Sequence, residues 1–202
     1  SYFERVNWVE SDSYRGFFEI KSAPLFIDKT LEQEVWSRKT GILTSATISV
    51  KNTFDYFKNQ LGIKNGYELI LSSPFDYPSQ SALYIPSNVP DPNTDNFLIN
   101  CKQLILETLN ITKGRAFLLF SSWKNMEVAY ELLKDELNFP SRKQGELTRK
   151  NIIEWFKNTP NSVLFATATF WEGIDIPGDS LSCGIIDRLP FSVPDDPIIQ
   201  AK

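Results

Sequence analysis

Histidine is absent from the 202 residues of this chain, and cysteine occurs only twice. Without histidine there is no Ser-His-Asp or Cys-His catalysis and no zinc site with a histidine ligand. The two cysteines, Cys101 and Cys183, lack C-x-x-C spacing and are too few to hold an iron–sulfur cluster. We therefore expect no metal site within the chain, a reducing compartment, and two thiols that serve packing.

A long apolar run and an excess of positive charge are also missing. No run approaches the roughly 20 apolar residues of a membrane span, and the amino end has no signal-peptide pattern. We therefore expect a cytoplasmic protein without membrane contact. The formal net charge is −4, which excludes a broad cationic face for duplex DNA. A phosphate chain has to be held locally, by backbone amides and a few side chains.

Apolar patterns predict strands and helices that alternate after an N-terminal hairpin. The hairpin is predicted at residues 5–10 and 16–21. Further strands are predicted at residues 40–43, 67–71, 82–85, 116–120, 139–144, 163–165 and 181–187. Helices are predicted at residues 28–36, 54–61, 95–110, 123–137 and 148–158. Asp28 and Ser122 stand where the N-caps of two of these helices are expected.

This alternation indicates an α/β fold with a mostly parallel sheet covered on both faces. We expect a small hairpin and connector over residues 1–38 and the α/β domain over residues 39–202. Both predictions rest on the order of the elements.

Three of the predicted strands end in hydroxyl-rich segments. They are GILTSAT at residues 41–47, FLLFSSW at residues 117–123 and LFATATFWEGID at residues 164–175. Because parallel strands end at one edge of a sheet, where ligands bind, we expect all three at a common rim. Serine and threonine are also ordinary at strand ends and helix caps. Three such ends with flanking aromatic residues favour a ligand site.

The residues of this rim suit a nucleotide and a single nucleic-acid strand. Hydroxyls bind phosphodiester oxygens, and Trp123, Phe170 and Trp171 offer faces for bases, each stacked base being worth about 1–3 kcal/mol. Asp175, two residues after Gly173, suits a sugar hydroxyl, because a carboxylate accepts two hydrogen bonds and glycine lets the backbone approach closely. The structural alternatives are a core role for Trp171 and a turn-stabilising role for Asp175.

Three motifs in the sequence carry a family resemblance. TSATIS at residues 44–49, LLFSSW at 118–123 and ATATFWEGIDIPGDSLSCGIIDRLPF at 166–191 resemble motifs III, IV and V of the DinG branch of the XPD-like superfamily 2 DNA helicases. FWEGIDIPGD followed by LPF is highly specific, whereas TSAT alone occurs in many helicases. The resemblance implies the second RecA-like lobe, a three-layer α/β/α domain, of an ATP-driven motor that tracks a single strand.

The resemblance also implies roles for individual residues. Ser45 and Thr47 would couple the nucleotide state to DNA contact. The ATP cleft would be faced by Glu172, Gly173 and Asp175. The DNA path would be lined by Ser121, Ser122, Thr167 and Thr169, and the segment from Thr167 to Trp171 would lie on the DNA side. The aromatic faces of Trp123, Phe170 and Trp171 complete the expected DNA-binding set.

Other parts that the resemblance implies are not in this sequence. The phosphate-binding loop, the acidic Mg²⁺ motif and the four cysteines of a possible 4Fe-4S cluster belong to the first lobe, and the arginines of motif VI would follow Lys202. The implied partners are single-stranded DNA, ATP with Mg²⁺, and that first lobe. Because phosphoryl transfer needs these parts together, we expect the chain alone to be inactive in ATP hydrolysis and unwinding.

Two other functions fit parts of the sequence. The first is a helicase-like lobe that serves a fused nuclease and regulates its cleavage without unwinding. The second is a plain α/β module for a small phosphate ligand, which leaves FWEGIDIPGD unexplained.

Overall fold

The computed structural model describes residues 4–12, 16–176, 178–189 and 196–201, and only the backbone of Asp12 and Trp171. The chain forms two compact units, Ser1–Leu83 with Ser192–Lys202 and Tyr84–Phe191. The expected boundary after residue 38 stays a prediction. Pro177, Pro190 and Phe191 of the motif V resemblance lie outside the described residues.

The first unit begins with the predicted hairpin. Strand β1 (Arg5–Asp12) pairs with β2 (Phe17–Pro24) in antiparallel register. Helix α1 (Asp28–Leu31) continues into a π-helical turn at Glu32–Trp36. Helices α2 (Asp55–Leu61) and α3 (Tyr77–Gln80) follow. The hairpin, the short helix after it and the helix at 54–61 are confirmed.

The N-cap predicted at Asp28 is wrong by one residue. The cap position belongs to Ile27, which makes no side-chain capping hydrogen bond, and Asp28 is the first helical residue. An aspartate in the first turn still faces the positive end of the helix dipole.

Three strands predicted in residues 40–85 are wrong. Residues 40–43, 67–71 and 82–85 form no strand, and Ile42 and Leu83 are 94% and 87% exposed. An apolar run becomes a strand only where a neighbouring strand takes up its backbone hydrogen bonds. Among the described residues, no strand pairs with these three segments.

The second unit is built on a parallel sheet. Helix α4 (Phe97–Thr112) leads into strand β3 (Ala116–Phe120), and α5 (Trp123–Leu133) leads into β4 (Ser141–Lys143). Helix α6 (Arg149–Asn158), β5 (Val163–Thr167) and β6 (Cys183–Ile186) complete the unit. The strand order is β4-β5-β3-β6, with every pair parallel. The predicted α/β fold is confirmed, and α5 is shorter than predicted because it ends at Leu133. The chain closes with α7 (Pro197–Gln200), which belongs to the first unit.

Both faces of the sheet are covered, as the continuous apolar runs of β3 and β5 predict. On one face Leu118 and Phe165 pack with residues of α4 and α5. On the other face Phe117 and Leu164 pack with residues of α6. The unit is therefore a three-layer sandwich. Because helices cover both faces of the sheet, the ends of the strands are the places where a ligand could reach it.

The two cysteines pack as predicted. Cys101 is buried in the core between α4 and the sheet, and Cys183 lies partly buried against the same core. Burial raises the pKa of both thiols. Within the described residues, no helix has the length and apolar character needed to cross a membrane.

We predict that Gly114→Ala destabilises this chain by about 2 kcal/mol or more. Gly114 has a φ of +66°, and an added Cβ would lie 2.1 Å from the carbonyl oxygen of Asn161. Gly184→Ala is the matched control, because its added Cβ meets nothing within 4 Å. Urea unfolding of both variants measures the difference, and equal stability of the two would contradict the prediction.

Candidate functional site

Four strand ends meet at one edge of the sheet in the second unit. The two central strands, β3 and β5, end at the same height in the sheet, because Phe120 at the end of β3 lies opposite Thr167 at the end of β5. On one side Leu119 lies opposite Ile186 of β6, and on the other side Phe165 lies opposite Lys143 of β4. The segments that follow the four strands therefore form a common rim, which we call the carboxyl edge.

Ser121, directly after β3, is held by a carboxylate that directly follows the neighbouring strand β6. Its backbone N–H donates to Oδ1 of Asp187 over 2.8 Å, and its hydroxyl donates to Oδ2 over 3.1 Å. Asn125 of α5 adds a third hydrogen bond to Oδ2, over 3.3 Å. Asp187 thus fixes the turn between β3 and α5.

Ser122 and Trp123 begin the helix that follows this turn. The hydroxyl of Ser122 accepts the backbone N–H of Asn125 over 3.1 Å, which confirms the predicted N-cap. The side chain of Trp123 is 50% exposed. Its ring lies beside the backbone of Gly145, where an added Cβ would come within 3.4 Å of ring atom Cζ3. The ring is therefore half exposed to solvent and is supported by the segment after β4.

Thr167, at the end of β5, binds the segment after β4. Its backbone N–H and its hydroxyl both lie within hydrogen-bond distance of Oε1 of Gln144, at 2.8 and 3.0 Å. The hydroxyl of Thr169 lies 3.2 Å from that of Thr167. Gln144 is itself placed by the sheet, because its backbone N–H donates to the carbonyl of Phe165 over 2.8 Å. The two threonines and the glutamine form one cluster at the carboxyl edge.

The backbone beyond this cluster is held by Arg149, the first residue of α6. Its Nη2 donates to the carbonyl oxygen of Phe170 over 3.0 Å and also to that of Glu172. Its guanidinium carbon lies 5.5 Å from the centre of the Phe170 ring. The turn that leaves β5 is thereby tied to the amino end of α6.

Side chains alternate between core and solvent along residues 172–176. Ile174 and Ile176 pack against the core on the α6 side of the sheet. Glu172, Gly173 and Asp175 are exposed. Gly173 has a φ of +68°, and an added Cβ would meet nothing within 4 Å. The turn therefore presents two carboxylates and an open stretch of backbone to solvent.

The sequence of this chain is similar to known proteins. The family model of the helicase C-terminal domain matches residues 105–202. The chain is 38% identical over 196 residues to the ATP-dependent DNA helicase YoaA of Haemophilus influenzae, a match that covers 96% of this chain and 30% of that protein. It is 34% identical over 206 residues to the ATP-dependent helicase DinG of Mycobacterium tuberculosis, covering 98% of this chain and 31% of that protein.

Residues 105–202 belong to the helicase C-terminal domain family of the DinG and YoaA type. The chain as a whole spans about 30% of the length of these relatives. The predicted family is confirmed, and the carboxyl edge is part of this helicase C-terminal domain.

Two of the three hydroxyl-rich segments meet at the carboxyl edge of the helicase C-terminal domain. They are the segments that follow β3 and β5. The third segment lies in the first unit, where Ser45 and Thr47 are exposed and their hydroxyls lie 3.2 Å apart. The expectation that all three strands share one sheet is wrong, because residues 40–43 form no strand.

The aromatic residues of the helicase C-terminal domain differ in what they can offer a base. Phe170 is only 5% exposed and packs in the core beside α6, so its ring has no free face in this structure. The side chain of Trp123 is half exposed. The side chain of Trp171 lies outside the described part of the chain. The stacking role expected for Trp123 stays a prediction, and the one expected for Phe170 would need its ring to leave the core.

Sequence reasoning missed Gln144, Arg149 and Asp187. Asp187 and Gln144 each follow a strand of the helicase C-terminal domain directly, which is the signal that applied to the serines and threonines. Arg149 had no such signal, since a basic residue at the start of an amphipathic helix is ordinary on a surface.

We predict that Asp187→Ala lowers the free energy of unfolding by about 1–2 kcal/mol, because three hydrogen bonds converge on this carboxylate. Asp135→Ala is the control, since Asp135 is exposed and makes no hydrogen bond within the described residues. Urea unfolding and amide exchange of Ser121 are the measurements. Unchanged exchange at Ser121 would show that Asp187 does not hold this turn.

Proposed function

We propose that this chain works as the second lobe of an ATP-driven DNA helicase, with the first lobe of the same protein as its partner. The observation that carries the proposal is the turn from Thr167 to Asp175. It begins inside a hydroxyl cluster at the carboxyl edge and ends in exposed carboxylates, and Arg149 ties its middle to α6. One short segment can thus contact two ligands.

The nucleic-acid side of the proposal rests on the carboxyl edge. Ser121, Ser122, Thr167 and Thr169 line it with hydroxyls, and Trp123 adds a half-exposed indole ring. Such a combination suits a single strand, because a polar edge can contact the backbone while an aromatic ring stacks on bases of any sequence. The net charge of −4 agrees with local holding of a strand. Trp171 joins this set by its position in the motif.

The nucleotide side rests on Glu172, Gly173 and Asp175. A carboxylate accepts hydrogen bonds from ribose hydroxyls, and Gly173 leaves room for a ligand to approach the backbone. ATP and Mg²⁺ would be held together with the first lobe, which supplies the phosphate-binding loop and the metal-binding carboxylates. Phosphate transfer is the chemistry that the nucleotide brings, and this chain contributes binding and orientation.

Coupling between the two sides follows from the covalent continuity of the turn. A shift of Asp175 on nucleotide binding would move the backbone of the same turn, which includes Thr167 and Thr169 of the hydroxyl cluster. Ser45 and Thr47 are proposed to take part in this coupling, as motif III residues do in the family. The tie from Arg149 to two carbonyls makes the turn move as one piece with the start of α6.

In the full-length protein, we expect Asp175→Ala to weaken nucleotide affinity about tenfold or more, because a charge-assisted hydrogen bond is worth roughly 1.5–3 kcal/mol. Titration with a fluorescent ATP analogue measures the affinity. Asp179→Ala is the matched control, since Asp179 is also exposed and follows four residues later. If both variants bind nucleotide equally well, Asp175 does not contact the ribose.

Trp123→Ala should weaken single-strand binding by roughly five- to a hundredfold, the range of one lost stacking contact. Trp123→Phe keeps an aromatic face and should lose less. Fluorescence anisotropy with a labelled oligothymidylate measures both variants in the full-length protein. A loss of thermal stability without a loss of binding would assign Trp123 to packing.

A further inference from the structure

The hydrogen bonds between Gln144, Thr167 and Thr169 run in one direction only. A backbone N–H can only donate, so the Gln144 atom 2.8 Å from the amide of Thr167 is the oxygen Oε1. The hydroxyl of Thr167 lies 3.0 Å from the same oxygen. Because Oε1 can only accept, that hydroxyl donates its proton to Gln144.

The direction of the second hydroxyl follows. Thr169 lies 3.2 Å from a hydroxyl whose own proton is already used, so Thr169 donates to Thr167. In this arrangement both threonine protons are used within the cluster. The hydroxyl proton of Ser121 is used as well, since it donates to Asp187. None of these three hydroxyls therefore has a proton directed at a ligand in this structure.

A donor remains in the cluster on the other side of the glutamine amide. With Oε1 turned toward Thr167, Nε2 lies on the other arm of the planar amide and carries two protons. Within the described residues, Nε2 of Gln144 has no hydrogen-bond acceptor. The buried side-chain atoms without a partner there are Arg142 Nε and Arg188 Nε, so Nε2 is not shut off from solvent. Gln144 is half-buried. Its amide nitrogen is therefore oriented, accessible and unused.

The surroundings of Gln144 match a single strand better than a compact anion. Gly145, the next residue, supports the half-exposed ring of Trp123. The basic side chains near Gln144 in sequence are engaged elsewhere. Lys143 pairs with Glu127, Arg142 pairs with Glu146, and Arg149 binds two carbonyls. The hydrogen bond to Glu127 raises the pKa of Lys143 and keeps it protonated in that pair. The neutral amide of Gln144 can donate a hydrogen bond to one backbone phosphate, while the nearby ring of Trp123 stacks on the base of the same nucleotide.

We propose that the side-chain amide of Gln144 is the group that donates to a backbone phosphate of the single strand, and that Thr167 and Thr169 orient it. This inference rests on the proposed function. It assigns the contact to a residue of the β4–α6 segment, outside the motifs that the sequence shares with the family.

Two variants of Gln144 in the full-length protein separate its possible roles. Gln144→Glu keeps an acceptor for Thr167 and replaces the donor by a carboxylate oxygen. Gln144→Met removes the donor without adding charge. Asn138→Asp is the matched control for Gln144→Glu, because it makes the same amide-to-carboxylate change at an exposed position before β4, at the opposite edge of the sheet.

Binding of a labelled oligothymidylate is measured by anisotropy, and fluorescent ATP is titrated in parallel. We expect both Gln144 variants to lose about tenfold or more in strand affinity, and Asn138→Asp to stay within about twofold of the unchanged protein. ATP affinity should be unchanged in all three. Amide exchange of Thr167 in Gln144→Glu should match that of the unchanged protein and so show that the cluster is intact.

Each other result overturns the inference in a recognisable way. Full strand affinity in Gln144→Met would show that only the added charge matters, and full affinity in Gln144→Glu would reduce Gln144 to a structural role. A loss of ATP affinity alone would place the donor on the nucleotide. If the unchanged protein binds ATP but no strand, the inference and the nucleic-acid side of the proposed function both fall. If every variant binds the strand as well as the unchanged protein does, the contact from Gln144 is rejected and the proposed function is unaffected.

Discussion

The parallel pairing of β3 with β5 is the constraint on which the rest of the second unit depends. Its register puts Phe120 opposite Thr167, so both strands end at the same level. A shift by one residue would exchange the two faces of β5 and move Leu164 and Phe165, which are both fully buried, each into the core on the opposite face, where the packing is built around other side chains. The two cores thus lock the register, and the register places the polar segments at one edge.

The polar side chains at this edge then bind one another across strands. Asp187, which follows β6, holds the turn after β3, and Gln144, which follows β4, holds the end of β5. Each outer strand therefore supplies a side chain that orders the end of an inner strand. Such cross-links keep the edge preorganised, which reduces the entropy that a ligand has to overcome on binding.

Local signals made much of the second unit predictable from sequence. The buried run of β3, the cap at Ser122 and the helical spacing of α6 each depend on residues near in the chain. The strand β4 has little apolar character, and only the need to return to the sheet predicted it. The strands predicted at residues 40–43 and 67–71 failed because apolar content cannot tell whether a pairing partner is present. Gln144, Arg149 and Asp187 could not be found either, since their partners lie 23, 21 and 66 residues away.

The tie between Arg149 and the turn after β5 uses a cation and two backbone carbonyls. A backbone carbonyl carries no net charge, so added salt screens this contact less than it screens an ion pair between side chains. Ionic strength strongly weakens the binding of proteins to a phosphate chain, because counterions compete for the phosphates. The shape of this turn is less sensitive to the same change, so salt can alter binding at the carboxyl edge without altering the geometry of the turn.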